Sequence, residues 1–274
     1  MKLPSTHSLG LITDRDTRNA RLYPSLFLLT PVALCAATLT AIDLSAVKSV
    51  AAALGACGGT YFLAQFARDP GKNLQNKLFE RWGGMPSVTM LRHRDPRLNR
   101  ITKARTHQQL CKLVPDTKAL TKEQEEANPD DADMLYAAWS SHLRNSTRDQ
   151  KRFPLVFDEL VAYGYRRNLL GLKPLGITIS AACFGVSSVV AAVQFSDTDR
   201  VGSHCFIAFT IALIFLLIWI FRITAKWVRL TADAYAERLI ETTELLHSDL
   251  HKAKPSKAAG SKAPGSKAPK QAKT

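Results

Sequence analysis

Hydrophobic positions along the chain gather into four continuous runs, and the stretches between them alternate at helical spacing. Residues 24–42 read PSLFLLTPVALCAATLTAI and residues 45–67 read SAVKSVAAALGACGGTYFLAQFA, with only Asp43 and Leu44 between them. A second pair occupies 175–195 and 205–221. A membrane-spanning helix needs about 20 apolar residues, so the pattern predicts an all-α membrane protein. Its four transmembrane helices form two hairpins, 24–67 and 174–221. Pro24 suits a first helical turn, whereas Pro31 lies inside the first span and should bend it, with the Thr30 hydroxyl serving the backbone that the ring deprives of a donor.

Residues 68–173 are long enough for a mainly helical cytoplasmic domain between the hairpins. Leu74, Leu78 and Trp82 share a helical face that stops at Gly83-Gly84-Met85-Pro86. Ser87 to Arg92 (SVTMLR) has the composition of a short strand. Asn99 to Val114 reads as a helix, and a stronger one follows Asn128, with Ala132, Leu135, Tyr136, Trp139 and Leu143 on one stripe. Pro154 opens a last helix through Tyr165, and Lys173-Pro174 leads into the third span. After Phe221 the helix is expected to run on as a cytoplasmic helix over 222–251. There Val228, Ala232, Tyr235, Leu239, Thr242 and Leu246 alternate steps of four and three. Such a stripe is either an oligomer seam of coiled-coil type or a face docked on the chain's own domain.

Charge fixes the orientation. The segments 1–23, 68–173 and 222–274 carry excess Lys and Arg, while the short connections carry Asp43, Asp197 and Asp199 against Arg200. By the positive-inside rule both termini and the central segment face the cytoplasm. The 274 residues carry a net charge of +14, seven of those charges being tail lysines after His251. That tail, 252–274, repeats SKAAG, SKAPG and SKAPK and lacks residues that could build a core, so disorder is expected. Its lysines suit an anionic lipid surface. Residues 1–23 show no ordered pattern of a removable signal peptide, which leaves the first span as the insertion signal.

Within the spans, Ala51, Gly55 and Gly59 recur every four residues, and Ala181 and Gly185 repeat the spacing. Small residues on one stripe let helices approach closely in lipid, within one chain or between copies. Span 205–221 is bulkier, so the first three spans are expected to form the packed unit and the last to lie more peripherally.

Chemistry is sparse. The chain has no P-loop, GxSxG, HExxH or CxxC pattern, so neither an enzyme nor a cofactor is expected. No ionisable group falls near the middle of a span, which disfavours a coupled transporter. Five cysteines without close spacing read as small apolar residues. The basic run Arg92, Arg94, Arg97, Arg100, Lys103 and Arg105 is a candidate phosphate or nucleic-acid grip, or equally a solvated patch. The acidic run Glu123 to Asp133 is expected to neutralise it within the domain. His247 and His251, four apart, have helical metal-ligand spacing but no evident further ligand.

Two stretches, ERWGGMPSVTMLRHRD (Glu80–Asp95) and FDELVAYGYRRNLLGLKPLG (Phe157–Gly176), resemble segments of uncharacterised bacterial multi-span inner-membrane proteins of the anti-phage membrane-effector type. The resemblance implies a multi-pass protein of the bacterial inner membrane with one cytoplasmic helical domain, and it carries over no catalytic residue. Three functions follow as expectations. The first is a non-enzymatic protein whose cytoplasmic domain senses a ligand or partner and alters span assembly as a homo-oligomer, disrupting the membrane. The second is a scaffold subunit bound to a partner membrane protein. The third is a nucleotide- or nucleic-acid-binding membrane protein.

Overall fold

The computed structural model describes residues 17–40, 59–198 and 203–253. Among them all regular secondary structure is helical, with no strand. A π-helical turn, Thr17–Leu22, runs into α1 (Tyr23–Thr40). Then follow α2 (Gly59–Arg81), the short α3 (Pro86–Thr89), α4 (Arg100–Leu113), α5 (Lys122–Ala127) and α6 (Pro129–Ser146). Next come α7 (Pro154–Thr198), α8 (Ser203–Leu217), a second π-helical turn (Ile218–Arg222) and α9 (Ala225–Ala253).

Three of these helices are long and apolar enough to cross a membrane: Arg18–Leu39, Pro154–Ser196 and Ser203–Arg222. The expected span 45–67 lies mostly outside the described residues; its described part, 59–67, opens α2, which turns polar from Arg68 onward. The tail from residue 254 and the N-terminal residues before Thr17 also lie outside them.

Five expectations are corrected. SVTMLR is not a strand: Pro86 starts a helical turn behind Met85, and Met90 N–H closes it on Pro86 O at 3.0 Å. Pro174 does not separate a domain helix from a span. Instead α7 runs unbroken for 45 residues, about 67 Å at 1.5 Å per residue, so the ring's missing N–H is tolerated inside a helix packed on both sides. Nor does α8 continue straight into α9. The chain breaks at Ile223, where φ/ψ is −86/94 and the 218–222 turn widens to π geometry. The exposed carbonyls there are clipped by Lys173, whose Nζ donates to Ile220 O (2.9 Å) and Ile223 O (2.8 Å). The Thr30 hydroxyl bonds Leu26 O at 2.8 Å, whereas the carbonyl freed by Pro31, four residues back, belongs to Phe27.

The last span is not peripheral. Helix α8 runs antiparallel to α7, with Phe184 on Phe209 at 4.4 Å, and also lies against α1, where Cys35, Ala208 and Ala212 are buried together. Phe27 meets Phe215 and Trp219 at 5.2 and 5.5 Å. Toward the polar end, Leu28, Ala67, Leu169, Leu172, Trp219 and Ile223 join α1, α2, α7 and the turn that follows α8 in one cluster. Leu78, Tyr163, Val228 and Ala232 then join α2, α7 and α9. Beyond them sits a helical head, whose core combines Leu91, Leu110, Tyr136, Trp139 and Leu143 with Phe153 and Val156 of α7 and with Ala236, Leu239 and Ile240 of α9. The expected domain 68–173 is thus completed by α9.

Glycines decide how closely these helices approach. At the α2–α7 crossing a Cβ on Gly171 would overlap the Gly71 N and stand 2.8 Å from its Cα, and a Cβ on Gly71 would stand 2.8 Å from the Asn168 Cα. Gly176 gives its surface to the Trp219 ring. Gly185, by contrast, has nothing within 4 Å of its Cβ position. Gly171→Ala should therefore force α2 and α7 apart, an overpacking cost on the order of 1–3 kcal/mol, while Gly185→Ala should be neutral. Thermal unfolding of the two variants in the same detergent checks this; equal melting temperatures would contradict the backbone contact.

Candidate functional site

Three members of the basic run, built from the loop after α3 and the start of α4, meet carboxylates of the same chain. The Arg92 guanidinium holds Asp133 at both oxygens, Nε to Oδ1 at 2.7 Å and Nη2 to Oδ2 at 2.5 Å, and also donates to Gly83 O at 2.9 Å. Arg97 pairs with Asp95 (2.6 Å) and with Asp233 of α9 (2.7 Å). Lys103 is buried, and its ammonium donates to the Arg92 and Asp95 carbonyls. Arg105 reaches Glu244 of α9 at 2.6 Å across an exposed surface. Arg94 and Arg100 are exposed. The run therefore ties the 90–99 loop to α6 and α9. Burial would raise the Asp95 carboxyl, but the hydrogen bonds and charge of Arg97, with the charge of Lys103, hold it below its usual range. Burial lowers the Lys103 ammonium against the pull of Asp95 and Glu125.

Beneath this loop lies a polar core. Glu125 accepts the Tyr136 hydroxyl at 2.7 Å and the His93 backbone N–H at 2.8 Å. His107 packs beside Tyr136 and Trp139, with ring centroids 5.4 and 5.2 Å away. Its Nε2 bonds Leu91 O at 2.8 Å; a carbonyl only accepts, so Nε2 carries the proton. Burial, then the nearby His93 and Lys103 charges, push the ring down to about 4 against the opposing bond to Leu91. At 2 % exposure the imidazole is out of reach of any substrate, and its part is to hold the head together.

The remaining sequence candidates divide by location. Val228 and Leu239 of the expected seam are fully buried inside the chain, and Tyr235 and Leu246 lie partly buried on the head core. Ala181 and Gly185 lie on an exposed face of α7. Ala51 and Gly55 lie outside the described residues, and Gly59 is the first residue of α2. His247 and His251 belong to the end of α9, and among the described residues no group of three or more His, Cys, Asp or Glu could hold a metal. Glu244, one turn before His247, is taken by Arg105.

The arrangement with most bearing on function is the junction of head and apolar helices, which sequence reasoning missed. Asn168, fully buried on α7, donates from Nδ2 to Ala20 O at 2.7 Å and so fixes the π-helical turn before α1. Arg166 donates to Trp227 O at 3.0 Å and stands 4.8 Å over that indole, and Arg222 stands 4.6 Å from the same ring. Each is a cation–π contact that fastens α9 beside the break at Ile223. The signal lay in Gly164 and Gly171, seven apart on α7 and bracketing Asn168.

No protein-family model, curated protein or solved structure matches the chain.

The head should lose stability in acid. The native His107 stays neutral down to about pH 4, while the unfolded imidazole takes up a proton below about 6.5. Stability is therefore complete above pH 6.5 and falls as pH drops toward 4, by an amount on the order of 3 kcal/mol. Melting temperature against pH for the wild type and His107→Gln checks this: the variant should be less stable at neutral pH and flatter between pH 6.5 and 4.

Proposed function

We propose that the chain is a non-enzymatic multi-pass protein of the bacterial inner membrane, with both termini cytoplasmic and four spans in two hairpins. Its helical head responds to a ligand or partner and alters how the spans associate, to the point of disrupting the membrane. The observation that carries the proposal is α7: one uninterrupted helix supplies Phe153 and Val156 to the head core and Leu169 and Leu172 to the cluster shared with α1, α2 and α8. A rigid element common to both bodies turns a displacement in one into a displacement in the other. Bulky residues stand exposed, Phe206, Ile207 and Ile214 on α8 and Phe221 on the π-helical turn after it, as lipid contact requires. The resemblance of Glu80–Asp95 and Phe157–Gly176 to membrane effectors agrees with this reading.

The scaffold alternative draws on one groove of the head. Leu155 and Leu245 are exposed beside Phe153, Arg238 and Glu241, an arrangement that suits a protein partner. Nothing in the geometry favours the nucleic-acid reading, because Arg92, Arg97 and Arg105 already hold carboxylates.

Induced expression followed with a potential-sensitive dye, together with purification in mild detergent, separates the first two readings. The proposal expects depolarisation with growth arrest, and a homo-oligomer after purification. An undisturbed potential under every trigger tried, with a stoichiometric foreign subunit in the purified material, would establish the scaffold instead.

A further inference from the structure

Where the π-helical turn before α1, the polar half of α2 and the middle of α7 meet, a cleft of about 250 Å³ opens. Arg21, Arg68, Lys72, Gln75, Tyr163 and Arg167 are among its walls, and no described residue lining it is acidic. Arg68, Lys72 and Arg167 share one hollow whose described lining has no carboxylate, which contrasts with the head, where Arg92, Arg97 and Arg105 each meet one. Arg167 is half-buried, stands beside the Tyr163 hydroxyl and is held by neutral amide oxygens. Its Nη1 donates to Gln75 Oε1 at 2.5 Å, and its Nε and Nη2 donate to Asn168 Oδ1 at 3.3 and 3.1 Å. These bonds aim the guanidinium without neutralising it. Tyr163, 6 % exposed, lines the same hollow, and its buried hydroxyl lies near the Arg167 guanidinium without making a hydrogen bond of normal geometry. A buried hydroxyl left unpaired is costly unless something supplies the bond. The Arg167 guanidinium stands 5.6 Å over the Tyr163 ring.

Concentrated cations, a hydroxyl in want of a partner and the lack of a carboxylate wall together define an anion site. We propose that this cleft binds a phosphate group, with Arg68, Lys72 and Arg167 supplying the charge and Tyr163 a hydroxyl hydrogen bond. The volume is below the roughly 300–1,000 Å³ of pockets for drug-sized ligands, so a headgroup or a small phosphate fits and a whole nucleotide does not. The cleft also lies where the apolar helices begin: Arg21 precedes α1, and Arg68 follows the apolar start of α2. An anionic lipid headgroup at the cytoplasmic surface would enter here, and a soluble phosphate compound offers the same chemistry. Bound phosphate would bridge α2 and α7 next to the Gly71–Gly171 contact. The inference rests on the proposed coupling for its consequence, but the binding is measured directly, so either can fail alone.

The test uses the full chain in a neutral detergent and in vesicles. Inorganic phosphate is titrated against chloride at matched ionic strength while the melting temperature is followed. Retention of phosphatidic acid over phosphatidylcholine is measured after reconstitution into vesicles containing both. The variants are Arg68→Gln and Lys72→Gln, at positions where truncation leaves no cavity, with Arg94→Gln as a distant basic control. A saturable rise in melting temperature with phosphate, weakened roughly tenfold by either variant and unchanged in the control, establishes the site, since a charge-assisted bond of that strength is worth about one decade. Selective retention of phosphatidic acid that the same variants abolish assigns the source to lipid, and phosphate binding without it assigns a soluble ligand. Stabilisation equal to that of chloride together with no lipid preference, or effects that survive both variants, would overturn the proposal.

Discussion

The backbones of α2 and α7 touch at Gly71 and Gly171, and the junction between head and apolar helices is set by that contact. With no side chain on either helix at the crossing, the two approach closely enough for Asn168 to pack on Gly71 and reach past it to the Ala20 carbonyl. In surroundings where helix association gains little from excluding water, such close packing with interhelical hydrogen bonds is the available source of specificity. Gly176 repeats the device a turn and a half further along α7, giving room to Trp219. Trp219 in turn lies against Phe27 of α1, so three helices are referred to one face of α7.

On the polar side, charge performs what apolar packing performs below. The loop between α3 and α4 has few apolar residues of its own, and it is held by Arg92 on Asp133, Arg97 on Asp233 and the buried Lys103 on two carbonyls. Half-buried pairs of bidentate geometry are the kind whose loss is costly, because removing one partner leaves the other charged and desolvated. Two of the run's four ion-pair partners, Asp233 and Glu244, belong to α9. Helix α9 therefore closes the head by its apolar stripe and by its charges together, while Arg166, Arg222 and Lys173 fix its start at the break after α8.

Local signals were legible and long-range ones were not. Of the stripe Ala132, Leu135, Tyr136, Trp139 and Leu143, all are buried completely except Leu135, which is partly buried, and the helix read from Asn99 does begin there, because periodicity acts within a few residues. Lys173-Pro174 looked like a boundary, since proline disfavours a helix interior, but packing along both sides of α7 overrides that preference. The acidic run was expected to neutralise the basic run, and Asp133 does take Arg92 from 41 residues away, but the partner of Arg97 on α9, Asp233, lies 136 residues off and no local pattern pointed to it. The phosphate-sized cleft was invisible for the same reason: Arg21, Lys72 and Arg167 meet only after three helices have been brought together.

Coupling between head and apolar helices requires α7 to act as one rigid body from the one into the other. Amide hydrogen exchange along residues 154–176 of the full chain, with fragments that resolve the stretch around Lys173-Pro174, tests this most directly. A continuous helix under tertiary packing keeps its amides slow through the whole stretch, as protection follows the cost of local opening. Uniform protection from residue 158 to residue 176, comparable with the centre of α6, is the expected result. A band of fast exchange between residues 169 and 176, flanked by slow amides, would show a hinge where the account requires a rod.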